Sequence, residues 1–158
     1  TGIRLKVESK NAVRGSFSSG ARSRQMPTPH FKVKCHRSRS NISLRNTTND
    51  RYLVGDFDLL VCNTSNALFV GGSIEGLEII TDSVTIDILY RHYNVDCKKD
   101  LLKACYNDWR FVIPEDIAED GVIPRTPYVA LENDPHWTVL QNLENRLLEV
   151  VKRKRERR

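Results

Sequence analysis

Glu8, Ser9 and Lys10 stand in the stretch VESKNAVRG, an acid and an amine with one residue between them. Side chains two apart on a strand leave it on the same face. A strand here would therefore set the Glu8 carboxylate beside the Lys10 ammonium. Phosphodiester hydrolysis uses such a pair. A carboxylate holds a hard divalent cation, and the cation polarises the phosphate and helps to generate hydroxide. An ammonium orients the attacking water or stabilises charge building up on phosphorus. An E-x-K triplet also occurs on the wet face of ordinary strands, so the surrounding elements have to supply the rest of the case.

Ile3, Leu5 and Val7 alternate with Arg4, Lys6, Glu8 and Lys10, which predicts a strand with one buried and one polar face. The next stretch, RGSFSSGARSRQMPTP, reads as a long loop. HFKVKCHRS alternates again, with Phe31, Val33 and Cys35 against Lys32, Lys34 and His36. A second polar connector, RSNISLRNTTND, leads to RYLVGDFDLLVCN, whose continuous apolar run after Asp58 predicts a central strand buried on both faces. ALFVGG reads as its hairpin partner across the turn NTSN. DSVTIDILYRHY fits helix or strand equally, whereas DCKKDLLKACYND has helical spacing. WRFVIP predicts a short strand stopped at Pro114. In DPHWTVLQNLENRLLEVV, Asp134 before Pro135 predicts a helix start, with Trp137, Leu140, Leu143, Leu147 and Val151 as its apolar stripe. Together these elements make an α/β or α+β domain, a mixed sheet flanked by helices, over residues 1–151, followed by a basic tail at 152–158.

The chain has 158 residues, 39% of them apolar and 28% charged, enough for one domain with a moderate core. No apolar run approaches a membrane span, so no membrane partner is expected, and no signal-peptide pattern stands at the N-terminus. The chain opens on Thr1 rather than Met, and an upstream segment is expected before it. Cys35, Cys62, Cys97 and Cys105 form no C-x-x-C pair. They are read as reduced thiols of a cytoplasmic protein (nuclear, if the source is eukaryotic), with Cys62 buried. A zinc site with His36 or His92 has no local support.

Charge is segregated. Residues 1–49 carry 11 Lys and Arg against one acid, Glu8; residues 50–151 carry 8 basic and 18 acidic residues; KRKRERR closes the chain with six basic residues and one acid. A front third this basic is a footprint for a polyanion, nucleic acid above all. Arg22, Arg24, Lys32, Lys34, Arg37, Arg39 and Arg45 are the expected phosphate contacts, with Ser38, Ser40 and Asn41 as neutral ones. His30 and His36 read as surface or packing residues before helpers. Tyr52, Phe57, Trp109 and Trp137 are assigned to the core. The tail fits DNA contact, nuclear import or a solubilising role equally.

In its order of elements the chain resembles the PD-(D/E)xK nuclease superfamily, which includes many restriction endonucleases. VESKN matches the E-x-K strand, FKVKCHRSRSN a basic strand, RYLVGDFDLLVCN the hydrophobic strand, WRFVIPEDI the late strand with its turn, and the last segment the terminal helix. The resemblance implies a restriction-endonuclease-like core and a DNA endonuclease dependent on Mg²⁺ or Mn²⁺. Glu8 would bind the metal, Lys10 would assist attack, and Asn11 would support the pair. Many such nucleases act as dimers, so a homodimer is an expectation too. The family's first metal-binding Asp lies upstream of the E-x-K strand, and no acid stands among Thr1–Val7. A rival arrangement takes Asp58 with Glu75 or Glu78 as the acids, but no lysine follows them at the right spacing. Two other readings stay open: a nucleic-acid-binding module without catalysis, and an assembly protein whose basic front meets the acidic back of a neighbour.

Overall fold

The computed structural model describes residues 2–15, 29–36, 50–73, 76–79 and 83–157. Its centre is a mixed six-stranded sheet, so the class is α+β. In chain order the strands are β1 (Val7–Val13), β2 (His30–Val33), β3 (Leu59–Asn63), β4 (Phe69–Ser73), β5 (Gly76–Ile79), β6 (Trp109–Val112), β7 (Tyr128–Ala130) and β8 (Thr138–Val139). The large sheet runs β7-β2-β1-β3-β6-β8, and β4 pairs with β5 in a separate two-stranded sheet. β1 and β3 are parallel, and the other pairs of the large sheet are antiparallel. The helices are α1 (Ser83–Tyr93), α2 (Lys98–Asn107), α3 (Pro114–Ile117) and α4 (Leu143–Glu156).

Register decides which residues share a face. Val7 to Asn11 of β1 pair in order with Leu59 to Asn63 of β3. Side chains alternate, so Glu8 and Lys10 share the face of Leu60 and Cys62, while Val7 and Ser9 share that of Leu59 and Val61. The first face carries the larger core, in which Ala12, Phe31, Val33, Cys35, Leu60 and Cys62 meet Leu89 of α1 and Leu101 and Cys105 of α2. The second face is covered by α4. Leu59, Val61, Phe111, Ile113 and Val150 form that cluster, with Leu5, Leu143 and Leu147 against it. β3 lies between the two clusters and is buried at every residue, as its unbroken apolar run predicts.

Three expectations are corrected. ALFVGG does not pair with β3; Ser65–Leu68 forms a 3-10 turn, after which Phe69–Ser73 pairs with β5. The last helix does not start at Asp134. That carboxylate accepts the backbone N–H groups of Ala130, His136 and Trp137, so its capping capacity is spent on a turn. The chain then forms β8 against β6 and a 3-10 turn before α4 begins at Leu143. The apolar stripe of α4 is accordingly Leu143, Leu147 and Val150, not one running back to Trp137. Finally, Val7 is 55% exposed and Trp109 36% exposed, so neither is a core residue, although Phe57 and Trp137 are buried as expected.

Two glycines set the backbone geometry beside β1 and before β3. A Cβ at Gly15 would overlap the His30 carbonyl oxygen, so the backbones at the ends of β1 and β2 meet only because the residue is glycine. Gly55 has φ 98°, a conformation open to glycine, in the turn where Leu53 and Asp56 bond to each other. That turn separates Tyr52 from Phe57.

Candidate functional site

β1 does for Glu8 and Lys10 what a strand must do: both side chains leave the same face. Lys10 Nζ lies 2.5 Å from Glu8 Oε1. Position along the strand sets their environment. Ala12, one step further, is fully buried, whereas Lys10 and Glu8 retain 18% and 33% of their side-chain exposure. The pair thus occupies the rim of the larger core, shielded on one side and open on the other. Ion pairs in such places are screened less than surface pairs.

Tyr52 completes the group. Its hydroxyl accepts a hydrogen bond from Lys10 Nζ at 2.9 Å and donates one to Glu8 Oε1 at 3.3 Å. The same ammonium lies 4.8 Å from the centroid of the Tyr52 ring. The sequence places Tyr52 in the core, and no local pattern joins it to residues 42 and 44 positions away. Burial pulls the Lys10 pKa down, but hydrogen bonds to Glu8 and Tyr52 and the Glu8 charge outweigh it, so the value is raised. Lys10 is therefore a firm cation at neutral pH. Cys35 lies on this face as well; burial pushes its thiol up to about 11, Lys10 draws it down and Glu8 lifts it.

The basic residues divide. Lys32 pairs with Val13 in the sheet, and Val33 with Ala12, so Lys32 leaves the face opposite Glu8 and Lys10. Its ammonium lies 5.6 Å from the Tyr128 ring centroid. Lys34 is exposed between buried Val33 and Cys35. Arg22, Arg24, Arg37, Arg39 and Arg45 lie outside the described residues, as do Ser38, Ser40 and Asn41. Asn11, exposed on the far face of β1 from the pair, accepts a hydrogen bond from Asn66 at 3.0 Å. His36 is exposed and bridges the backbone of Arg51, next to Tyr52; His30 is buried, edge-on to Tyr128.

For a hard cation, Glu8 offers one carboxylate. That is the minimum for magnesium, which keeps several waters and takes phosphate oxygens from its substrate. Among the described residues, the one group of three or more potential ligands is Asp96, Cys97 and Asp100 at the start of α2, and Glu8 does not belong to it. The two described rival acids belong to different elements. Asp58 precedes β3 and binds Lys6 N and Lys154 Nζ, Glu78 falls on β5 in the other sheet, and Glu75 lies outside the described residues.

Away from the pair, a concavity of about 790 Å³ opens beside β6 and β8 and is lined by His92, Asp108, Trp109, Glu132 and Gln141 among others. Its floor is structural. Asp108 takes two hydrogen bonds from Arg110 and one from Tyr93, and Arg110 also reaches the Leu131 carbonyl. Among the described residues, no helix is long and apolar enough to cross a membrane. No protein-family model matches the chain, and neither a curated protein nor a solved structure matches it.

Proposed function

We propose that this chain carries half of a nuclease active site, acting on the phosphodiester backbone of DNA with a divalent cation, Mg²⁺ or Mn²⁺. The observation that carries the reading is the Glu8–Lys10 pair: a carboxylate and a firm cation side by side on one face of a central strand, half-shielded from water. Glu8 would hold one corner of the cation, and the cation when bound would polarise the phosphate. Lys10, being charged, is suited to stabilise negative charge on a phosphate rather than to accept a proton. A second acid would have to join Glu8 from outside the described residues, or from a second copy in a homodimer. The basic connectors and β2, with Arg22, Arg24, Lys32, Lys34, Arg37, Arg39 and Arg45, would hold the DNA backbone outside the cleavage point.

One specific observation favours a second reading, a nucleic-acid-binding module without catalysis. The Glu8 carboxylate is already held by Lys10, and among the described residues Glu8 belongs to no group of three or more potential metal ligands. Both readings require salt-sensitive DNA binding, because each phosphate neutralised releases counterions. Fluorescence anisotropy with a labelled duplex tests this directly. Replacing Lys32 and Lys34 by Ala should weaken binding for any sequence and reduce the salt slope by about 2. Absence of binding at low salt, with salt-sensitive self-association in its place, would overturn both readings in favour of an assembly protein.

A further inference from the structure

Lysine is a poor candidate for a precise position. Its flexible stem has many rotamers to choose from, and its ammonium can only donate. In this site its strongest partner is Glu8, yet Glu8 is the group that a cation would claim. Something else has to keep the ammonium in place at that moment.

We infer, resting on the nuclease reading, that Tyr52 is a positioning residue: its hydroxyl and ring hold the Lys10 ammonium when the Glu8 carboxylate is engaged elsewhere. The hydroxyl can accept and donate at once. It accepts from Lys10 at 2.9 Å and donates to Glu8 at 3.3 Å. The shorter bond is the one to the lysine. The ring adds a cation–π contact at 4.8 Å. Loss of the carboxylate would leave both of these in place.

Tyr52 is itself fixed. Its carbonyl accepts the Ile123 N–H at 2.9 Å, and Ile123 is fully buried. Its ring meets Phe57 edge-on with centroids 5.2 Å apart, and Phe57 is 4% exposed. The Gly55 turn brings those two rings together. Tyr52 thus approaches the pair from a separate, well-packed segment.

The test reads Lys10 directly. In protein labelled with ¹⁵N-lysine, a held ε-ammonium exchanges slowly with water and gives a signal that free lysines lack. The variants are Glu8→Gln, Tyr52→Phe and the two combined. Glu8→Gln alone should keep the slow Lys10 signal, and adding Tyr52→Phe, which leaves only the weaker ring contact, should speed its exchange sharply. Tyr52→Phe alone should speed exchange of the Lys10 ammonium without abolishing its signal. It should also cut single-turnover DNA cleavage by roughly tenfold to a hundredfold at unchanged DNA affinity. Phe57→Leu loosens the ring packing but keeps the hydroxyl, and the Lys10 signal should survive it. A Lys10 signal indifferent to Tyr52→Phe in the Glu8→Gln background, or lost equally with Phe57→Leu, would overturn the inference.

The two levels separate cleanly. Dependence of the Lys10 signal on Tyr52, in a protein that never binds or cuts DNA, upholds the positioning and removes the nuclease reading. Cleavage by a protein whose Lys10 ignores Tyr52 does the reverse.

Discussion

Lys154 Nζ, near the end of α4, donates to Asp58 Oδ2 at 2.6 Å, and the same oxygen accepts the backbone N–H of Lys6 at 2.7 Å. One carboxylate therefore ties the last helix to the residue immediately before β1. Two further residues of the basic tail are used in the same way. Arg153 pairs with Asp116 and Glu149, and Arg157 with Glu115. These charges dock the helix, in addition to whatever they offer to solvent.

Replacing Asp58 with Ala should cost about 2 kcal/mol, the scale of hydrogen bonds to a charged group, measured by urea unfolding. The pH dependence has a definite sign. Burial raises the Asp58 pKa, but Lys154 and the Lys6 N–H outweigh it, so it lies below its ordinary value of 3.8. Its contribution is complete above that ordinary value and fades as pH falls through the lower folded one. The stability difference between wild type and Asp58→Ala should shrink in that acid window and stay constant near neutrality.

Among the described residues, Arg110 and Asp108 form the most enclosed ion pair, with side chains 6% and 9% exposed. Arg110→Met should destabilise the fold by about 3–5 kcal/mol, because it strands a buried carboxylate. Asp108→Asn in the same chain should recover part of the loss. Thermal or urea unfolding of the single and double variants measures both. Equal stability of Arg110→Met and wild type would show that Asp108 is solvated by some other route.

Thiol reactivity should follow burial. Cys97 is exposed, while Cys35, Cys62 and Cys105 are buried. Burial pushes Cys35 up to about 11 and Cys105 up to about 12, and raises Cys62 as well. The thiolate is the reactive form. At pH 8 a chromogenic disulfide reagent should modify one thiol quickly and the other three only on unfolding. Cys97→Ser should abolish the fast phase.

How much of the fold and of the site is legible in the sequence depends on how local each signal is. The unbroken apolar run after Asp58 and the alternation in HFKVKC are local signals that survive without tertiary context, and both strands form where those signals predict. The strand holding Glu8 and Lys10 is legible too, but its faces are not. Ile3, Leu5 and Val7 look like its buried side, yet α4 reaches only as far as Leu5, and the deeper core lies beneath Ala12 on the other face. The start of α4 is hidden because Asp134 has the chemistry of a helix cap but uses it on a turn. Tyr52 is beyond reach, since only folding brings it to Lys10. The same applies to Lys32, whose side of the sheet is set by pairing with Val13 and not by its own neighbours.

The central claim, that Glu8 and Lys10 act together on a phosphodiester, is tested most directly by nicking of supercoiled plasmid with Mg²⁺ or Mn²⁺. Wild type, Glu8→Ala and Lys10→Ala should be compared at matched DNA occupancy. Nicking by wild type, with a loss of at least about a hundredfold in each variant and retained DNA binding, is the expected result. Nicking that persists undiminished in both variants, or a wild-type protein that binds DNA and never cuts it, would contradict the claim.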